Sequence, residues 1–344
     1  MSGRNGNKKL VILTNFKFVI ARNEATSSPS IARYAWRRGC RRGYFARSSL
    51  AMTIWCKFEF MKKYLSLVTF AHTIFAMPFA FIGFFLAVTT TSNKFDWLKL
   101  VMMVLCMVFA RNSAMAFNRY LDRDIDSKNP RTKQRDIPAG RISPAAALTF
   151  TLINCALFIG TTWFINQLCF FLSPVALLVV LGYSATKRFT ALCHLVLGLG
   201  LSLAPIGAYL VITGQFALTP LFFSFAVLCW VSGFDIIYAL QDEDFDRGEN
   251  LHSIPAWLGK VNALRLSTFL HVLSAAFVVM PIFFTPVSYL YYAGVVFFCV
   301  MLIYQHLLVK PNDLSRVNFA FMTTNGIASV VFAVFFLLDR IWIK

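Results

Sequence analysis

Long apolar runs succeed one another from residue 64 to residue 339, and they restrict the fold more than any other feature of the chain. An α-helix rises ~1.5 Å per residue, so ~20 mainly apolar residues cross a ~30 Å hydrocarbon layer. Nine runs of that kind lie near 64–90, 97–117, 145–166, 168–186, 191–213, 218–239, 263–285, 287–309 and 317–339. They are continuous rather than alternating, which points to helices and away from the strands of a barrel. The sequence therefore predicts an all-α membrane protein with nine transmembrane helices. Composition agrees: 58% of the residues are hydrophobic and 14% charged, against ~25% charged in a soluble domain. A soluble domain, a disordered chain and a disulfide-stapled mini-protein are all excluded.

The basic charge has a place. Residues 1–63 hold 14 Lys and Arg against Glu24 and Glu59, a net of +12 out of +18 for the whole chain. Beyond them, Lys and Arg collect in alternate connections. Segment 118–143 carries seven, and Lys187, Arg188, Arg247, Lys260, Lys310 and Arg316 fill the next three even connections. The odd connections hold only Lys94, with Lys99 just beyond it. By the positive-inside bias the N-terminus and the even connections are cytoplasmic, and an odd number of spans puts Lys344 on the far side. Basic flanks beside apolar spans also account for the charge without nucleic acid.

Residues 1–60 read as a basic, Ser- and Arg-rich extension, either a targeting or membrane-surface arm or a segment outside the functional protein. Met61, followed by Lys62, Lys63 and the first span, resembles the start of many membrane proteins, so 61–344 is expected to be the working domain. Cys106, Cys155, Cys169, Cys193, Cys229 and Cys299 lie in apolar runs without a C-x-x-C pair and read as small buried hydrophobes. The five His are isolated, which gives little support for zinc or haem.

Ionisable groups at the end of a span are costly and therefore informative. Most acids beyond residue 63 fall in two windows, Asp122–Asp136 and Asp235–Glu249. Residues at i, i+4 and i+8 share a helix face, so Asn118, Asp122 and Asp126 form one polar stripe. Tyr238, Asp242 and Asp246 form a second at a constant offset of 120 residues. The stripes end the second and sixth spans, which run in the same direction and open on the same membrane side. This pattern implies two four-helix pseudo-repeats plus one further helix.

Clustered carboxylates repel unless a cation lies among them. Four of them on two facing helices suit Mg²⁺, a hard cation that takes oxygen ligands and substrate phosphates. A lone D-x-x-x-D would read as a solvated acidic loop; the matched pair favours a metal–polyphosphate site. Asp122, Asp126, Asp242 and Asp246 are the expected ligands. Arg131, Arg135 and Lys187, with Asn118, are candidates to hold a diphosphate, Arg through its planar fork and Lys as a point charge. Taken alone, Lys187 and Arg188 would be an ordinary positive-inside anchor. Tyr183 lies four residues before Lys187. Asp235 lies one to two turns deeper than the second stripe. It is a candidate for contact with substrate or a base-bound water, or for a hydrogen bond to a neighbouring helix. His72, in the first span, reads as a packed polar residue before it reads as a base.

At these residues the chain resembles the UbiA superfamily of intramembrane prenyltransferases, from about Met61 to Lys344. The family's N-D-x-x-D-x-x-x-D is matched by Asn118-Arg119-x-x-Asp122-x-x-x-Asp126, and D-x-x-Y-A-x-x-D-x-x-x-D by Asp235-x-x-Tyr238-Ala239-x-x-Asp242-x-x-x-Asp246. Y-x-x-x-K is matched by Tyr183 and Lys187, followed elsewhere by Pro130-Arg131-Thr132-Lys133 and Ile137-Pro138-Ala139-Gly140-Arg141. Arg119 stands where Asp is commoner, Asp136 where Pro is, and the first span lacks the basic residue often found in the hydroxybenzoate enzymes. With Leu251-His252-Ser253-Ile254-Pro255, the chain is most similar to the 4-hydroxybenzoate polyprenyltransferase-like group.

The resemblance implies Mg²⁺-dependent transfer of a polyprenyl group from an allylic polyprenyl diphosphate to an aromatic acid in quinone biosynthesis. The enzyme would sit in a bacterial inner membrane with its active site facing the cytoplasm. Asp122 and Asp126 would hold one Mg²⁺ and Asp242 and Asp246 another, while Lys187 and the loop Arg residues would receive the leaving charge. Tyr183 would orient Lys187 or face the cation. A dihydroxynaphthoate acceptor is the alternative within this chemistry. A secondary transporter is the alternative outside it, although transporter acids usually sit at the midplane rather than at one face.

Overall fold

The computed structural model describes residues 75–91 and 93–343. The basic extension and His72 lie outside the described residues. So does the first half of the first predicted span.

Each apolar run becomes a helix, and local chemistry sets its ends. Helix α1 spans Met77–Thr90 and α2 Trp97–Leu121, the latter capped by Asp96 accepting from the Leu98 and Lys99 N–H groups. The short α3 spans Arg123–Lys128. Helix α4, Pro144–Trp163, starts on the Ser143 cap with Pro at its first turn. Helix α5 spans Gln167–Thr186 and is capped by Asn166; α6 spans Cys193–Thr213 and stops at Gly214, in the left-handed region at φ 62°. Helices α7 (Leu218–Ala239), α8 (Glu243–Gly248), α9 (Ile254–Val279), α10 (Tyr289–Leu308) and α11 (Asn325–Trp342) follow.

Among the described residues eight helices are long and apolar enough to cross a membrane, and α1 is a shorter apolar helix. The protein is an integral, all-helical membrane protein. The seventh span begins nine residues earlier than the sequence predicts, at Ile254 rather than 263. The extra turns include a break at Gly259, whose φ of 75° only glycine adopts without strain. A π-helical stretch, Ala320–Thr324, leads into α11.

Packing follows the duplication. In the first half α2 packs on α4 and α4 on α5; in the second α6 packs on α7 and α7 on α9; α1–α6 and α5–α6 join the halves, and α10 packs on α11. Two glycines make those junctions close. A Cβ on Gly198 would lie 2.2 Å from Ser232 Oγ, and one on Gly83 would lie 2.0 Å from the Pro205 carbonyl oxygen. Phe79, Phe223, Trp230, Phe298 and Phe332 fill the core between α1, α7, α10 and α11. Trp230 Nε1 donates to Asn325 Oδ1 at 3.0 Å, so this wide ring is buried with its one polar atom satisfied. Many other Phe, such as Phe164, Phe171 and Phe225, stay exposed on the outer surface, as lipid-facing side chains do.

Candidate active site

The acid stripes survive in the structure, but not as straight helix faces. α2 stops at Leu121 and resumes as α3 after Asp122 (φ −89°, ψ 8°). α7 stops at Ala239, passes through a 3₁₀ turn ending at Asp242 (φ −105°, ψ 4°) and resumes as α8. The break falls on the middle acid of both stripes, so the duplication reaches the backbone. The i→i+4 hydrogen bonds from Asp122 N to Asn118 O (2.9 Å) and from Asp126 N to Asp122 O (2.7 Å) keep the first stripe in register. Asn118 Nδ2 also donates to Asp122 Oδ2 at 3.0 Å.

The structure pairs each acid with a cation. Asp122 faces Arg188 at 3.4 Å and Asp126 accepts from Arg135 Nη1 at 2.9 Å. Asp242 takes the fork of Arg131, with Nε at 3.0 Å and Nη2 on its second oxygen, and a further bond from Asn129 Nδ2 at 3.2 Å. Asp246 meets Lys187 Nζ at 2.7 Å. Arg131 crosses from the first half of the protein to the second, and its Nη1 also donates to Tyr238 Oη at 2.9 Å. Lys128 to Glu249, at 2.5 Å, bridges the halves as well. The two stripes therefore converge at one end of the bundle.

Asp242 is 8% exposed, Asp126 5% and Asp246 not at all. Burial, and then the Asp126 charge, push the Asp122 carboxyl above its ordinary range, against the pull of Arg188. Among the described residues no three Asp, Glu, His or Cys side chains already converge as a closed metal cluster. The donor set still suits a hard divalent cation. Both Asp246 oxygens are buried without a hydrogen bond, because the Lys187 contact is close but poorly aligned. Two anionic oxygens so placed are unsatisfied acceptors, which a Mg²⁺ ion would serve.

Beneath the acids opens a cavity of about 660 Å³ lined from Asp126 and Asp246 down to Ile165, Leu210 and Phe216, mainly by apolar side chains of α2, α5 and α6. It also takes in Asn118, Tyr183, Lys187, Arg131, Arg135 and Asp235, so all the site candidates from the sequence border one space.

A sequence profile of the UbiA prenyltransferase family matches residues 76–327. The chain belongs to that family. A Tolumonas auensis protein named 4-hydroxybenzoate octaprenyltransferase is 28% identical over 223 residues, covering 65% of this chain and 78% of that protein. The apo structure of a UbiA homolog from Aeropyrum pernix is 29% identical, with a TM-score of 0.70, over 78% of this chain and 98% of its own. An Archaeoglobus fulgidus UbiA homolog bound to GPP and Mg²⁺ shares the fold at 20% identity and a TM-score of 0.61, over 81% and 99% of the two chains. The UbiA prenyltransferase assignment answers the transporter alternative.

In this UbiA-family cavity the structure adds two residues that the sequence reading passed over. Arg111 stands on α2 two turns deeper than Asn118. Its Nε is shielded and makes no hydrogen bond, and among the described residues the guanidinium, which borders the cavity, has no acidic partner. The signal was present, since an Arg inside an apolar span marks a functional position by default. His194, on α6, is 4% exposed and places Nδ1 2.7 Å from Asp235 Oδ2. The segment after the second stripe supports this corner. His252 N donates to the Lys187 carbonyl at 2.8 Å, and Ile254 N to His194 Nε2 at 3.4 Å.

Proposed function

We propose that this chain transfers a polyprenyl group from an allylic polyprenyl diphosphate to an aromatic acid of the 4-hydroxybenzoate type. The observation that carries this reading is the pairing of two converged acid stripes with a deep cationic residue, Arg111, that has no acidic partner among the described residues. The names of the relatives and the GPP and Mg²⁺ bound by the Archaeoglobus fulgidus homolog support it.

Asp122, Asp126, Asp242 and Asp246 would hold Mg²⁺, which when bound offsets the negative charge of the diphosphate. Arg131, Arg135 and Lys187 already stand beside those carboxylates. The same cations would face the diphosphate oxygens and stabilise charge where it develops as the C–O bond breaks. Asn118 would donate a hydrogen bond there, and Tyr183, which lines the cavity, would orient Lys187 or face the allylic cation. The apolar cavity wall would take the isoprenoid chain and exclude water from the cation. Arg111 would receive the acceptor's carboxylate through its fork. A guanidinium in a low-dielectric site without a partner gains most from such an anion.

Residues 61–344 would suffice for this activity, with the site facing the cytoplasm of a bacterial inner membrane. The test uses purified protein, a labelled prenyl diphosphate, Mg²⁺ and a panel of 4-hydroxybenzoate, a dihydroxynaphthoate and their methyl esters. Product from 4-hydroxybenzoate supports the reading. Product from the naphthoate alone moves the acceptor, and no product from any acid overturns it.

A further inference from the structure

His194 and Asp235 form a pair that neither the acid stripes nor the arginines use. His194 Nδ1 donates to Asp235 Oδ2 at 2.7 Å. On the far side of the ring, Ile254 N lies 3.4 Å from Nε2, a backbone N–H in the first turn of α9 with no partner within its own helix. The imidazole is thereby held between α9 and Asp235, with one Asp235 oxygen engaged. Its other oxygen has no hydrogen-bond partner among the described residues, the side chain is 21% exposed, and the residue lines the cavity. A pair that served only to join α6 to α7 would have no need to present a free carboxylate oxygen to that space.

Depth agrees with a role in the reaction. Asp235 lies seven residues below Asp242, and Arg111 lies eleven below Asp122, the matching position in the other half. At ~1.5 Å per α-helical and ~2.0 Å per 3₁₀ residue, Asp235 stands ~5 Å nearer the acid stripes than Arg111, about one helical turn. That offset is close to the length of a benzene ring with para substituents. A ring whose carboxylate meets Arg111 brings its hydroxyl to the level of Asp235.

Resting on the aromatic-acid reading above, we infer that Asp235 accepts the hydroxyl proton of the acceptor ring and that His194 is the residue that positions it. A carboxylate is too weak a base to strip a resting phenol, but the hydroxyl becomes strongly acidic as the ring carbon takes on positive charge. Proton transfer to Asp235 therefore runs in step with attack. The ring carbon beside the hydroxyl bonds to the allylic carbon, and the allylic C–O bond breaks with its electron pair leaving on the diphosphate. The substituted ring carbon then loses its hydrogen as a proton to the diphosphate, and the oxygen recovers the proton held by Asp235. One ring hydrogen is exchanged for the prenyl group, and one proton departs with the diphosphate.

The test measures kcat and KM for both substrates in the full-length protein with Mg²⁺, using an acceptor that the wild type turns over. Asp235→Asn should lower kcat by about 100-fold or more, with KM for the prenyl diphosphate little changed. Ring-fluorinated acceptors, whose hydroxyl is more acidic, should narrow that deficit. His194→Leu should lower kcat by about 10- to 100-fold, and His194→Gln, whose amide can still donate to Asp235, should recover most of the loss. Wild-type kcat in Asp235→Asn overturns the inference. So do equal losses in His194→Gln and His194→Leu that track their melting temperatures. If the wild type itself uses no hydroxylated aromatic acid, the parent reading fails; if it does and Asp235→Asn matches it, only this inference fails.

Discussion

Replacing Arg111 with Met should change acceptor recognition and stability in opposite directions. The guanidinium borders the cavity with Nε shielded and, among the described residues, without an acid to balance it. In the free protein it is a desolvated charge that stabilises nothing, and Met, of similar length and wholly apolar, relieves that cost. With acceptor bound, the same group would make a charge-assisted hydrogen bond worth about 1.5–3 kcal/mol. At about 1.4 kcal/mol per factor of ten, its loss raises the acceptor KM by about 10- to 150-fold. Arg111→Met should therefore show a higher acceptor KM, an unchanged KM for the prenyl diphosphate and a melting temperature at or above wild type. Arg111→Lys keeps the charge but loses the fork, so it should fall between the two. The sharpest readout is the acid against its methyl ester. The wild type should prefer the acid and Arg111→Met should not. An unaltered acid preference in Arg111→Met refutes the assignment, as does a fall in melting temperature with unaltered acceptor KM.

Four further outcomes follow from the same geometry. Asp122→Asn or Asp242→Asn should nearly abolish turnover while leaving membrane insertion intact, and EDTA should silence the wild type; full activity in any of these cases contradicts the metal site. Lys187→Met strands the fully buried Asp246 and should cost about 2–3 kcal/mol, at the low end for a broken buried pair because Lys187 is partly exposed; thermal melts should show the loss in EDTA and its reduction in Mg²⁺. Gly198→Ala forces a methyl to within 2.2 Å of Ser232 Oγ and 2.5 Å of the Leu228 carbonyl oxygen, so α6 and α7 must separate, costing about 1–3 kcal/mol in a thermal melt. Deleting residues 1–60 should leave activity unchanged in the same assay.

How much of this was legible in the sequence depended on whether the signal was periodic or solitary. The spans were legible because a bilayer demands long apolar segments, and eight of them recur as helices at the expected places, although the seventh starts nine residues early. The acid stripes were legible because each repeats a spacing and the two repeat each other. The break at Asp122 and Asp242 was not legible. A single residue leaving helical geometry alters neither the i+4 spacing nor the hydropathy, and the surviving i→i+4 bond from Asp126 to Asp122 shows how little of the ladder it disturbs. Likewise the sequence placed basic residues beside acids but could not say that Arg131 reaches across the two halves to Asp242, a contact between positions 111 residues apart.

The solitary residues deep in the cavity carry a different lesson. Arg111 was the one charge in the interior of its apolar span and His194 one polar side chain in an apolar run, and neither belonged to a spacing that repeats in the other half. His194 pairs with Asp235 from another helix at a separation of 41 residues, and its second partner, Ile254, is a further 19 residues along. Such a cluster exists only after the helices pack. Yet the cost of placing an ionisable group inside a span does not depend on its having a neighbour in sequence. In this chain the periodic acids mark where the diphosphate would be held, a task that needs several charges on one face. The solitary polar residues mark where the ring would be read, a task that needs one donor or acceptor at each end of a small planar molecule. The contrast between a dense polar mouth and sparse polar contacts below it is therefore expected of an enzyme that joins a highly charged group to a small aromatic one inside a membrane.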